Sequence, residues 1–154
     1  MYLWDHIRHR SGFAVHSPFM YGVVRKAMMP RKVVGQNREL YDALALAGTD
    51  RRTATRLQNY LAHLSYPAWA IDECVAEGLV VITPKCEAEK VHTIVAELAE
   101  GGKEATLCLL HRRNKARKAL ATQLVATHAS MSASKKGFTL LVYGRKLPKQ
   151  HIIL

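Results

Sequence analysis

Hydrophobic and polar positions follow two rhythms along this chain, and the change falls near residue 66. Before it, apolar residues recur three and four positions apart, the helical period. In "HSPFMYGVVRKAMMP", Phe19, Val23, Val24 and Ala27 share one face. Ser17 suits the N-cap, and Pro18 suits the first helical position, where a missing N–H costs nothing. Pro30 ends the run, and "RKVVGQ" reads as a loop or short extended segment. "NRELYDALALAG" predicts a second helix, with Asn37 as cap, Leu40 and Leu44 inward and Gly48 past its end. "TATRLQNYLAHLSYP" predicts a third, capped by Thr53, with Leu57, Leu61 and Leu64 at helical spacing. Residues 1–10 read as a short helix or an arm.

Beyond residue 78 the apolar positions run together. "GLVVITP" (78–84) is short, continuous and β-branched, as expected of a strand buried on both faces. "EAEKVHTIVAELAEGG" predicts a helix with Val91, Ile94, Val95 and Leu98 inward and a glycine pair at its end. "ATLCLLH" (105–111) is a second buried strand, and Asn114 caps the helix "KARKALATQLVATH". "GFTLLVYG" and "KQHIIL" read as two further strands. The short link "RKLPKQ" between them implies an antiparallel hairpin. Strand–helix–strand–helix alternation predicts a mostly parallel sheet with helices on its faces.

The stretch "PAWAIDECVAE", residues 67–77, supports two readings. It can be a helix from Pro67 to Gly78 with Ile71, Cys74 and Val75 inward, or it can contain a short edge strand. Against the strand, only six residues separate 68–72 from 79–83. A parallel crossover ordinarily takes a dozen or more.

With 154 residues, one domain is the expectation: a helical cover over 1–66 and an α/β portion over 67–154. A hydrophobic share of 49% argues against disorder. No apolar run approaches the ~20 residues of a membrane span. The start "MYLWDHIRHR" has no basic region followed by an apolar block. A cytoplasmic protein without a membrane partner is expected. Cys74, Cys86 and Cys108 are odd in number and widely spaced, so reduced thiols are expected. The formal charge of +11 changes the picture of partners, because such a field gathers polyanions.

"GFAVHSPF", "LCLLHRRNKARKAL" and "LVYGRKLPKQHIIL" together resemble a class I S-adenosylmethionine-dependent methyltransferase family of Bacteroidetes-type bacteria. The resemblance covers residues 10–30 and 105–154. It implies a Rossmann-like α/β fold, here reduced to a sheet of four or five strands with a C-terminal antiparallel hairpin and an N-terminal helical cover. It also implies S-adenosylmethionine as cofactor, held over a glycine-rich turn where the backbone must approach the ligand. The local match is "WAIDECVAEGL". It assigns Asp72 to the strand end, Glu73 to the turn and Gly78 to the last motif position as the cofactor-binding residues. The turn itself departs from the pattern, since Glu73, Cys74, Val75, Ala76 and Glu77 stand where glycines are wanted. The ribose-holding carboxylate has no counterpart after "VVIT", where Pro84 and Lys85 follow, or after "CLLH", where Arg112 and Arg113 follow.

Other candidate residues carry less chemistry. His16 beside Ser17 could be base and nucleophile, but a cap explains the pair better. His6 and His9 lack further ligands at metal spacing. His151 reads as a packed or edge residue, so no catalytic residue and no metal is assigned. The run "HRRNKARK" is the strongest charge signal: Arg112, Arg113, Lys115, Arg117 and Lys118 leave the carboxyl end of a strand and enter a helix. That edge gathers ligands in open α/β sheets, and a helix N-terminus favours anions. A polyanion or nucleic-acid contact competes there with a merely solvated helix face. The expected function is a degenerate methyltransferase-like interaction module without donor binding. An active small-molecule or macromolecule methyltransferase and a basic nucleic-acid-associated protein are the alternatives. A reduced sheet leaves an edge to cover, so a homodimer through it is a further expectation.

Overall fold

Ser17 opens the first helix as its sequence suggests: its side-chain oxygen accepts from the Met20 N–H at 3.2 Å, with Pro18 next in line. A computed structural model of the chain describes residues 17–154. The expectations for residues 1–10 and for His6, His9 and His16 fall outside the described residues. The chain forms two compact units. One holds the helices through Ser65 and takes in Ile153–Leu154; the other runs Tyr66–Ile152.

In the helical unit, α1 (Pro18–Val23) continues as a π-helical turn over Val24–Met28. α2 spans Glu39–Leu46, and α3 spans Arg51–His63. Leu40, Leu44 and Leu57 are fully buried and Leu61 nearly so, as the helical period requires. Asn37 accepts from the Glu39 N–H at 2.9 Å although the cap position is Arg38. The cap of α3 is Asp50, which accepts from the Thr53 N–H at 3.0 Å. Thr53 is thus inside the helix, a correction to the sequence reading. The cap, and with it the helix start, lies three residues earlier because Asp50 is the better acceptor.

The second unit is built on a six-stranded sheet, more strands than the four or five expected. The strands are β1 Trp69–Ile71, β2 Gly78–Ile82, β3 Ala105–Leu110, β4 Ser132–Lys135, β5 Phe138–Tyr143 and β6 His151–Ile153, in the order β1-β2-β3-β5-β4-β6. β1, β2 and β3 are parallel, and β5 is antiparallel to both β3 and β4. β4 therefore runs with the first three. The antiparallel hairpin is β4–β5, turning at Lys136 and Gly137, and β6 lies beside β4. The expected pairing of the last two strands is overturned, because "SASK" carries no apolar run and still takes the place next to β5.

Residues 69–71 form the strand and not the helix. The objection to a six-residue parallel link also fails, for a reason of length. β1 has three residues, so the return from Ile71 to Gly78 spans only about 10 Å of strand, well within the reach of six residues. Helices α4 (Ala88–Gly101) and α5 (Lys115–Thr127) follow β2 and β3. Val91, Ile94 and Leu98 of α4 and Ala121 and Leu124 of α5 pack with Val80, Ile82, Leu107, Leu109 and Leu141 into one core. β2 and β3 are buried along their whole length, as their continuous apolar runs predict. No helix among the described residues is long and apolar enough to cross a membrane.

Candidate functional site

The carboxyl ends of β1, β2 and β3 bring Asp72, Thr83 and His111 to one edge of the sheet, where ligands gather in folds of this class. Asp72 adopts φ +59°, which bends the chain sharply out of β1, and its N–H donates to the Val81 carbonyl at 2.8 Å. Its carboxylate is taken up by Thr83. The Thr83 N–H donates to Oδ1 and the Thr83 hydroxyl to Oδ2, both at 2.6 Å. These charge-assisted bonds tie the end of β1 to the end of β2. Glu73 is exposed and pairs with Lys90 of α4 at 2.7 Å.

Gly78 stands at the opposite end of β2. Its φ is +146°, and a Cβ there would lie 1.9 Å from the Ala68 carbonyl oxygen. The glycine is required by the neighbouring backbone in its own unit. About 13 Å of strand separates it from Ile82 at the other end of β2. Asp72, Glu73 and Gly78, the residues assigned to the methyl donor, are therefore not brought together around one space.

The basic run divides. Asn114 caps α5, its side-chain oxygen accepting from the Arg117 N–H at 2.9 Å. Arg112, Arg113, Lys115 and Lys118 are exposed around this helix start, with Arg113 at φ +57°. Arg117 is turned inward and is only 8% exposed. Its Nη2 donates to the carbonyls of Pro84 and Cys86, fastening the β2–α4 loop to α5, and its buried Nη1 has no partner. The signal for this was present in the sequence: Arg117, Ala121 and Leu124 fall at i, i+4 and i+7 on the inward face. Arg117 belongs to the packing, and the other four cations carry the outward charge.

The chain matches no family model, no curated protein and no solved structure. The chemistry available must therefore be read from the groups themselves.

A hydroxyl–imidazole network, not expected from the sequence, crosses the other half of the sheet. His111 Nε2 meets Thr139 Oγ1 at 2.9 Å, and Thr139 Oγ1 meets Ser134 Oγ at 3.2 Å. His151 lies between two serines, Nδ1 at 2.7 Å from Ser132 and Nε2 at 2.9 Å from Ser134. Burial holds His111 and His151 below the ordinary imidazole value, and the Lys118 charge adds to this at His111. Among the described residues no carboxylate joins the network, which links β3, β5, β4 and β6. The spacing signal was the alternation of Ser132 and Ser134 along one strand face.

The cysteines are free thiols. Burial pushes Cys74 up to about 11 and raises Cys86 and Cys108, so none is a ready thiolate. Among the described residues no group of three His, Cys, Asp or Glu could hold a metal ion.

Proposed function

We propose that this chain is a methyltransferase-like α/β protein that does not use a methyl donor and acts as an interaction module. One observation carries the reading: the Asp72 carboxylate is engaged through both oxygens by Thr83, on the edge where a donor's ribose or amino acid would be read. Turning it to a ligand means breaking two short bonds and freeing the end of β1. Titration calorimetry with S-adenosylmethionine on the full chain tests this. No heat of binding is expected at millimolar ligand, and micromolar binding overturns the reading.

The partner class favoured by this unit is a polyanion such as nucleic acid. Arg112, Arg113, Lys115 and Lys118 stand exposed at a capped helix start on the ligand-gathering edge. Binding of a nucleic-acid duplex is expected to weaken steeply with salt and to fall in Arg112→Glu/Arg113→Glu. Binding that is insensitive to both removes this reading.

A further inference from the structure

The helical unit contains a concave space of about 520 Å³. Around it stand Arg31 and Lys32 from the loop after α1, Arg38 and Tyr41 from the start of α2, and Arg51 and Arg52 from the start of α3. Five of these six are cations, and among the described residues no acid lines the space. The volume falls within the range of small-molecule sites.

The arrangement works against its own electrostatics. Beyond its Asp50 cap, the start of α3 carries Arg51 and Arg52 and no further acid, although the N-terminus of a helix is its positive end. Arg52 holds its proton less tightly than an exposed arginine, first through burial and then through the charge of Arg31. Like charges gathered around a concavity that no described carboxylate lines are stabilised when an anion enters.

The cations are also held in place. Arg52 donates to the carbonyls of Pro30 at 2.6 Å, Met28 at 3.1 Å and Met29 at 3.3 Å, satisfying the end of the π turn. Asn59 of α3, 2% exposed, accepts from the Val34 N–H at 2.9 Å and donates to the Lys32 carbonyl at 3.0 Å. It thereby fixes the loop that presents Arg31 and Lys32. Gln58, equally buried, accepts from the Tyr41 N–H at 2.9 Å and fixes the start of α2. Such second-layer bonds hold a charged site ready before the ligand arrives.

We propose that this space binds a small oligophosphate anion, whose charge is shared among Arg31, Lys32, Arg38 and Arg51. Arginine forks suit phosphate oxygens, and several of them suit a ligand bearing several phosphates. Nothing on the rim reads a base. The Arg38 guanidinium already covers the Tyr41 ring at 4.4 Å, and the Thr55 hydroxyl donates to the Arg51 carbonyl at 2.8 Å. The cations ring an open concavity of limited extent; a single-stranded nucleic acid calls for a track with open aromatic platforms. The site shares no residue with the sheet edge, so it stands or falls apart from the reading above.

The test is calorimetry on the full chain at low salt, with tripolyphosphate, ATP and a single-stranded RNA oligomer as separate ligands. Tripolyphosphate and ATP are expected to bind with affinities within about threefold of each other, because charge alone is recognised. Arg31→Glu/Arg51→Glu is expected to weaken both by about a hundredfold or more, while Lys103→Glu, at an exposed lysine just before β3, leaves them unchanged; Arg112→Glu/Arg113→Glu asks whether the binding lies at the sheet edge instead. Arg31→Gln/Arg51→Gln, which adds no repulsion, should give an intermediate loss, and thermal melts establish that each variant is folded. The proposal is overturned if tripolyphosphate does not bind, if only ATP or only RNA binds, or if the sheet-edge variant abolishes binding.

Discussion

At the carboxyl edge of the sheet Asp72 is bonded to Thr83, Glu73 to Lys90 and Arg117 to two loop carbonyls. Around Arg31 and Arg51 in the helical unit no acid among the described residues lines the space. Both regions look alike in composition, with paired basic residues beside a helix start. They differ in where the hydrogen-bonding capacity goes. At the sheet edge polar groups close on one another, and Asp72 and Arg117 are taken up by the fold itself. In the helical unit the buried amides and the Arg52 guanidinium are spent on backbone groups, while Arg31, Lys32, Arg38 and Arg51 gather around a concavity. Charge density alone therefore does not locate a binding site; what matters is whether neighbouring groups already satisfy it.

Glycine offers the sharpest way to break this comparison. Gly78→Ala places a methyl group against the Ala68 carbonyl at φ +146°, in a strand buried throughout. Backbone must move, and a loss of about 4 kcal/mol or more is expected, with the fold of this unit lost in thermal and denaturant melts. Gly35→Ala, in the loop near Arg31 and Lys32, meets nothing within 4 Å. Its melting temperature should stay unchanged or rise slightly through reduced freedom of the unfolded chain. A benign Gly78→Ala would mean that the tight β1–β2 return is wrong.

Next in size come the buried polar clamps. Arg117→Met leaves the Pro84 and Cys86 carbonyls without their donor, and Asn59→Ala leaves the Val34 N–H without its acceptor and the Lys32 carbonyl without its donor. Each is expected to cost about 2–3 kcal/mol in denaturant melts. The two separate on binding: Asn59→Ala should also weaken tripolyphosphate by loosening the loop, while Arg117→Met should not. Equal effects on binding would erase the distinction between the regions.

These clamps also show what could be read from the sequence. β2, β3 and β5 announce themselves as continuous apolar runs, and α4 by Val91, Ile94 and Leu98. β4 could not be found this way, because Ser132–Lys135 owes its place to pairing with β5 and to bonds with His151, not to its own residues. β1 was masked by its brevity. Arg117 was legible from its spacing to Ala121 and Leu124. The basic cavity was not, since Arg31, Arg38 and Arg51 converge only through tertiary bonds from Gln58 and Asn59. The one available hint was that two amides occupy inward positions of α3 between Leu57 and Leu61.

Acid should act on the sheet unit. Burial holds His111, His128 and His151 below the ordinary imidazole value. His128 Nε2 donates to the Val142 carbonyl at 2.8 Å, and the ring meets the Tyr143 ring edge-on. Since the unfolded chain binds protons more readily at these sites, their contribution is complete above about pH 6.5 and is lost as pH falls through that value toward the lower folded-state pKa. The melting temperature should fall between pH 7.5 and pH 5. A His111→Gln variant should show a shallower fall, and a slope equal to that of the parent would remove His111 from the account.

The smallest effect concerns the cations themselves, and it bears most directly on why they are there. Arg31→Gln removes a charge that presses on Arg52, while leaving Arg52 bonded to the Pro30 and Met28 carbonyls. In the absence of phosphate this substitution should raise the melting temperature by about 1–2 °C at low salt. Arg112→Gln, on the sheet unit, should not shift it by as much. Adding tripolyphosphate should reverse the order, stabilising the parent more than Arg31→Gln by mass action on the folded state. Residues that destabilise a free protein and stabilise a bound one are the mark of a site kept for its ligand. If Arg31→Gln instead lowers the melting temperature without phosphate, the arginines are held by contacts within the fold, and the helical unit uses its charge as the sheet edge does.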